Sequence, residues 1–128
     1  MTDPLAVALG PADPLAAATA IRGRVVRLTV VGELDLSTAK ALADAVRRLL
    51  ERHRPSQVIL DLRGLAFLDS SGLHLLAELA DEARASDWRL SVVRGPDHIQ
   101  QTIELVGLLE HLEIVDEPAG VGDGRPAA

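Results

Sequence analysis

The sequence predicts a single α/β domain, in which a small mixed β-sheet has α-helices packed against it. The 128 residues suffice for one hydrophobic core, and 48% of them are hydrophobic. Short β-branched segments alternate with amphipathic helical segments, an order that is typical of βαβ crossovers. Aromatic residues make up only 2% of the chain. Leu, Val, Ile and Ala must therefore form the core.

The strand predictions rest on β-branched residues and on alternating polarity. The predicted strands are Leu15–Ile21, Val25–Val31, Gln57–Leu62, Arg89–Val93 and Leu112–Val115. Gly32 is expected to end the second of these strands. The third is nearly continuous Val, Ile and Leu around Asp61, which indicates a central strand buried on both faces.

Three helices are predicted between these strands, over about residues 38–53, 72–85 and 97–107. Either Ser37 or Thr38 can cap the first helix, because a short side-chain oxygen satisfies a free backbone N–H there. The third helix should end at Gly107 and turn its apolar side chains inward. Those side chains are Ile99, Ile103 and Val106. In the second helix, Leu75 and Leu79 are either core or partner contacts, and the core interpretation is favoured.

The two ends of the chain differ in composition from the rest. Residues 1–14 carry Pro4, Gly10 and Pro11 without a clear period, so we expect a flexible N-terminal arm. Pro, Gly and Ala predominate in residues 117–128, which predicts a disordered C-terminal tail. The folded domain is therefore predicted to span residues 15–116.

Charge and cysteine content exclude several classes of function. The formal net charge is −6 and the basic residues are scattered, which argues against direct nucleic-acid binding. The chain has no Cys, hence no disulfide, thiolate metal site or Cys nucleophile. No apolar run approaches the roughly 18 to 20 residues that span a bilayer, and Asp3 precedes the Ala-rich N-terminal segment where a signal peptide would carry Lys or Arg. We expect a cytoplasmic protein without membrane contact.

The candidate site is the turn Asp69-Ser70-Ser71-Gly72, between a predicted strand and the second helix. A helix N-terminus has free backbone N–H groups and favours negative charge, so a hydroxyl there can accept a phosphate that the helix end helps to hold. Asp and Ser are also favoured N-cap residues, so the turn is equally compatible with a simple helix cap. The segment Gly32–Asp35 is expected at the same sheet edge, beyond the carboxyl ends of the strands.

Other chemistries find little support in the sequence. A serine nucleophile elbow needs Gly-x-Ser-x-Gly, whereas Ser70 follows Leu68 and Asp69. The sequence has no His-x-x-x-His pair, no cation-binding loop and no glycine-rich nucleotide motif. We therefore predict neither a metal nor a cofactor, and no catalytic residue.

Two segments resemble the STAS domain family, and within it the bacterial anti-sigma factor antagonists. Gly32-Glu33-Leu34-Asp35 is similar to an element before the family's first helix. The run from Asp61 to Leu73 is similar to its central signature Asp-Leu-x-x-Leu-x-Phe-x-Asp-Ser-Ser-Gly-Leu. The resemblance covers about residues 15–116.

The resemblance implies a non-enzymatic protein that switches partners. When unphosphorylated, such an antagonist binds an anti-sigma factor, which is a serine kinase, and so releases a sigma factor. It implies that the kinase phosphorylates Ser70, that a PP2C-type phosphatase reverses the reaction, and that Asp35, Asp69, Ser71 and Gly72 contribute to partner binding. Two alternatives remain open: a STAS scaffold or sensor subunit of a larger signalling assembly, and an enzyme that uses Ser70 or Ser71 as nucleophile.

Overall fold

Six strands form one mixed sheet and lie side by side in their order along the chain. The computed structural model describes residues 2–8, 15–105, 107 and 112–115. The strands are β1 (Thr2–Ala8), β2 (Leu15–Arg22), β3 (Val25–Leu34), β4 (Gln57–Leu68), β5 (Arg89–Val93) and β6 (Glu113–Val115). The helices are α1 (Ala39–His53), α2 (Ser70–Arg84) and α3 (Asp97–Leu105). This architecture confirms the predicted α/β class.

The direction of each strand follows from its connection. A two-residue turn joins β2 to β3, and Gly23 in that turn has a φ of 56°, so these strands pair antiparallel. The pairs β3–β4, β4–β5 and β5–β6 are parallel. Each of them is joined through a helix, because a parallel pair needs a long crossover.

All three helices contribute to a single core. Inward side chains of the sheet, including Leu28, Leu60 and Val92, are buried together with residues of every helix. Leu75 and Leu79 of α2 are buried in this core, as predicted. Ile99 and Ile103 of α3 are also buried as predicted, whereas Val106 lies outside the described residues. Burial of this apolar surface is the main force that stabilises the domain.

β3 and β4 extend beyond their predicted ends. β3 continues through Gly32, whose φ of 117° suits glycine, and the β3–β4 register shifts next to it. β4 reaches Leu68 because Leu65 and Leu68 return their side chains to the core after a polar interruption. The two strands end side by side, with Leu34 paired to Leu68. The residues that follow each strand therefore emerge at the same sheet edge.

The beginning of α1 differs from the prediction in its cap. Thr38 occupies the N-cap position but makes no side-chain cap hydrogen bond. Its buried hydroxyl instead donates to the Glu33 carbonyl at 2.9 Å and accepts from the Asp35 N–H at 2.9 Å. Thr38 therefore stabilises the β3–α1 loop. The helix ends at His53 as predicted, followed by Arg54 in the left-handed region.

The predicted N-terminal arm differs from the structure over its first residues. Thr2–Ala8 form β1, which pairs antiparallel with β2. Their register shifts between Asp3 and Ala6, the interval that contains Pro4, which has no backbone N–H to donate. Pairing gives β2 a second neighbour, a long-range effect that local composition does not reveal. Residues 9–14 and the predicted tail at 117–128 lie outside the described residues, and their flexibility stays a prediction.

Candidate functional site

Asp69 organises the turn between β4 and α2. It is the N-cap of α2, and its Oδ1 accepts hydrogen bonds from the N–H groups of Ser71 at 2.9 Å and Gly72 at 3.1 Å. Its Oδ2 accepts from the N–H of Leu36 in the β3–α1 loop at 3.3 Å. One carboxylate thus satisfies free donors of the helix and ties the neighbouring loop to it.

The two serines occupy different environments. Ser70 is the first residue of α2 and is exposed, whereas Ser71 is half-buried and donates its N–H to Asp69. Within the described residues, no hydrogen bond engages the Ser70 hydroxyl. The cap is therefore made by Asp69, and the Ser70 hydroxyl is available at the helix N-terminus. The turn therefore does cap α2, and the capping residue is Asp69.

Gly72 holds α2 against the end of β3. A Cβ at this position would lie 2.5 Å from Leu68 Cδ1 and 2.9 Å from both Cγ and the carbonyl oxygen of Leu34. That carbonyl also accepts the Asp69 N–H at 3.2 Å. Gly72 is buried, so its role within the chain is close packing, and any contact with a partner stays a prediction.

Asp35 organises the neighbouring β3–α1 loop. Its Oδ1 accepts hydrogen bonds from the Ser37 N–H at 2.9 Å and the Ser37 hydroxyl at 2.7 Å. The hydroxyl of Ser37 lowers the pKa of Asp35, and hydrogen bonds from the Ser37 N–H and from Thr38 act in the same direction, against the opposing effect of desolvation. Asp35 therefore carries its negative charge at neutral pH. Asp35 and Asp69 line the same surface recess, so the two loops lie close together at one sheet edge, as predicted.

A groove of about 660 Å³ runs between α1 and α2 from the serine turn. Its floor is apolar and its rim carries cationic and acidic groups. The lining residues are Leu36, Ala39, Lys40, Ala43, Arg47, Ser70, Ser71, His74, Leu75 and Glu78. The small side chains of Ala39 and Ala43 leave the space between the helices open. The serine turn thus adjoins both a recess and an open groove.

A buried ion cluster joins β3 to β4 below the site. Arg27 and Asp61 form an ion pair in which both side chains are buried, and Arg63 binds the same carboxylate at 2.8 Å. Burial alone would raise the pKa of Asp61, but hydrogen bonds from Arg63 and Arg27 outweigh it and lower the pKa to about 2. The cluster fixes the two strands that deliver the loops.

Among the described residues, no cluster of three or more His, Asp or Glu side chains is arranged to hold a metal ion. Nor does any described helix have the length and apolar character to cross a bilayer.

Sequence patterns did not single out two apolar residues at this site. Leu36 lies in the β3–α1 loop and Phe67 near the end of β4, and both are exposed. For Leu36, the one available signal in the sequence is an isolated apolar residue between the polar residues Asp35 and Ser37. Phe67 precedes the buried Leu68 in β4. Which of these two side chains faces the core depends on the exact course of the strand, which the sequence does not show.

The chain is similar to known proteins over most of its length. Residues 17–116 match a family model described as Mlab, STAS domain. The chain is 31% identical over 118 residues to the anti-sigma-F factor antagonist RsfB of Mycobacterium tuberculosis, an alignment that covers 88% of this chain and 94% of that protein.

Solved structures show the same fold. An anti-sigma factor antagonist from Mycobacterium paratuberculosis superposes with a TM-score of 0.72 at 25% identity, over 81% of this chain and 87% of that one. The phosphorylated form of SpoIIAA from Bacillus superposes with a TM-score of 0.61 at 19% identity, over 79% of this chain and 92% of that one. The family match and the relative at 31% identity confirm the resemblance found in the sequence motifs: this chain belongs to the STAS domain family and is a homologue of anti-sigma factor antagonists.

Proposed function

We propose that this chain is an anti-sigma factor antagonist that phosphorylation of Ser70 switches off. In the unphosphorylated state it binds an anti-sigma factor that is also a serine kinase, and a sigma factor is released. A PP2C-type phosphatase restores the binding state. The chain acts by binding in the cytoplasm and needs no catalytic group or cofactor of its own.

The observation that carries the proposal is the environment of the Ser70 hydroxyl. It is exposed at the first residue of α2, while Asp69 already supplies the cap. A kinase can therefore reach the hydroxyl without opening the fold. The helix N-terminus tolerates the added charge, since its dipole favours an anion there.

The same geometry explains how a phosphate would block a partner. Phosphorylation adds about −1.5 to −2 charge beside the carboxylates of Asp69 and Asp35. A partner surface shaped for a neutral hydroxyl must then desolvate a phosphate and approach three anionic groups. A coupling free energy of ~3 kcal/mol weakens binding roughly a hundredfold, which is enough to switch partners at fixed concentrations.

The test is phosphorylation in vitro with each anti-sigma factor kinase of the source genome, purified singly, and ATP. Mass spectrometry should place one phosphate on Ser70, and Ser70→Ala should accept none. Ser71→Ala is the matched control, because Ser71 is the adjacent hydroxyl, and it should still be phosphorylated. Phosphate on another residue, or none with any of the kinases, contradicts the proposal and favours a scaffold or sensor role.

A further inference from the structure

Two exposed apolar side chains flank the turn that carries Ser70. The side chains of Leu36 and Phe67 are 79% and 48% exposed, respectively. Phe67 is the only phenylalanine of the chain, and it lies at the surface, whereas aliphatic residues fill the core. Adjacent large apolar groups at a protein surface mark interaction sites more often than single ones do.

Leu36 lies where the two depressions of the site meet. It lines the recess with Asp35, Ser37, Phe67 and Asp69, and it also lines the α1–α2 groove with Ser70. The hydrogen bond from its N–H to Asp69 Oδ2 fixes its backbone to the helix that carries Ser70. Leu36 thus connects the apolar pair to the proposed phosphorylation site, and the carboxylate that caps α2 holds the Leu36 backbone.

The border of the apolar pair is acidic. Asp35 and Asp69 lie in the same recess, and Glu33 is exposed and pairs with Phe67 in the β3–β4 register. The lowered pKa of Asp35 keeps its negative charge in place. A complementary surface must therefore offer an apolar depression with basic side chains around it.

We propose that Phe67 and Leu36 form the apolar centre of the surface that binds the anti-sigma factor, which covers them with an apolar depression bordered by Lys or Arg. This inference rests on the proposed function and extends it from the switch to the residues that supply affinity. A few well-buried side chains, aromatic ones above all, dominate the affinity of protein interfaces. A phosphate on Ser70 would lie beside Leu36, so one modification would disturb the centre of the contact.

Titration calorimetry with purified anti-sigma factors of the source genome tests this proposal. Leu36→Ala and Phe67→Ala should each weaken binding about tenfold or more. Leu105→Ala is the matched control, because Leu105 is 87% exposed but lies on α3. This variant should bind the anti-sigma factor with wild-type affinity. If Phe67→Ala folds poorly, Leu36→Ala and Leu36→Asp test the proposal instead. Because Leu36 is exposed, both of these substitutions should leave the fold intact.

The possible outcomes separate the two proposals. Ser70→Glu places a negative charge where the phosphate would be. If this variant loses binding while both Leu36 variants bind with wild-type affinity, the proposal of an apolar centre is overturned and the proposed function stays intact. An equal loss in Leu105→Ala also overturns it, since the effect would then not belong to this surface. A wild-type chain that binds none of the anti-sigma factors overturns the proposed function itself.

Discussion

At the N-terminus of α2, capping and the proposed phosphorylation belong to different residues. Asp69 accepts the free N–H groups, and Ser70 presents its hydroxyl outward. The sequence could not separate these roles, because Asp and Ser are equally good N-cap residues. The separation depends on the backbone at Asp69, which is extended while Ser70 is already helical.

Replacement of Asp69 tests its structural role. Asp69→Ala removes the acceptor of three backbone N–H groups and should lower the free energy of unfolding by about 1–2 kcal/mol. Asp69→Asn keeps an acceptor oxygen and should cost less. Urea unfolding measures both, with Asp87→Ala as an exposed control. If Asp69→Ala is as stable as the control, the cap is unimportant.

A methyl group at Gly72 should be costly despite the helical position. Ala favours a helix by about 1 kcal/mol over Gly, but the added Cβ would press on the Leu34 carbonyl and side chain, and on Leu68. Overpacking of this kind costs about 1–3 kcal/mol. We therefore expect a lower Tm for Gly72→Ala in calorimetry, and an unchanged Tm for Ser70→Ala in the same turn. A raised Tm would mean that α2 has room to move.

Among the elements, the helices were easier to predict than the ends of the strands. Three amphipathic segments between strands appeared close to their predicted limits, because a long apolar face at 3.6-residue spacing is a strong signal. The ends of β3 and β4 could not be predicted, since they depend on register shifts near Gly32 and Gly64 that only the pairing of the two strands defines. Those ends set the position of the site.

The Asp61 cluster should make the strand pair sensitive to acid. The pKa of the Asp61 carboxyl falls from an ordinary value of 3.8 to about 2 in the folded protein. A lowered pKa stabilises the fold above the unfolded value, here by about 2 kcal/mol, and this stability is lost as the pH falls from about 4 towards about 2. Urea unfolding at about pH 5 and about pH 2.5 measures the loss.

Asp61→Asn supplies the comparison for this pH effect. The variant should be less stable than the wild type at about pH 5, because it leaves Arg27 buried without its counter-charge. The difference should shrink at about pH 2.5, where the wild-type carboxylate is itself becoming protonated. Asp44→Asn, at an exposed carboxylate paired with Lys40, should show a much smaller difference at either pH. A constant difference for Asp61→Asn would exclude this carboxylate as the titrating group.

For the whole molecule, the order of strands and helices was predictable but the full sheet was not. Alternating β and α segments predicted a mixed sheet with crossover helices, and the register of β3 with β4 confirms it. β1 was missed, because Pro4 and Gly10 indicate a loop locally, whereas pairing with β2 is a long-range effect. The exposed position of Phe67 was missed for a similar reason, since it depends on the irregular course of β4.

The acidic character of the chain should govern how fast it meets its partner. The net charge of −6 and the carboxylates around the site should steer a basic surface towards it. Raising the salt concentration from about 50 to about 500 mM should slow association with the anti-sigma factor severalfold and change dissociation much less. Stopped-flow mixing measures both rates. An association rate independent of salt would argue against a basic partner surface.

The central claim is that the charge on Ser70 controls partner binding. The most direct measurement is the Kd for the anti-sigma factor of the chain with Ser70 fully phosphorylated and of the same chain after phosphatase treatment. We expect phosphorylation to weaken binding roughly a hundredfold, corresponding to ~3 kcal/mol, with the fold intact by circular dichroism. Equal Kd values for the two forms would contradict the account.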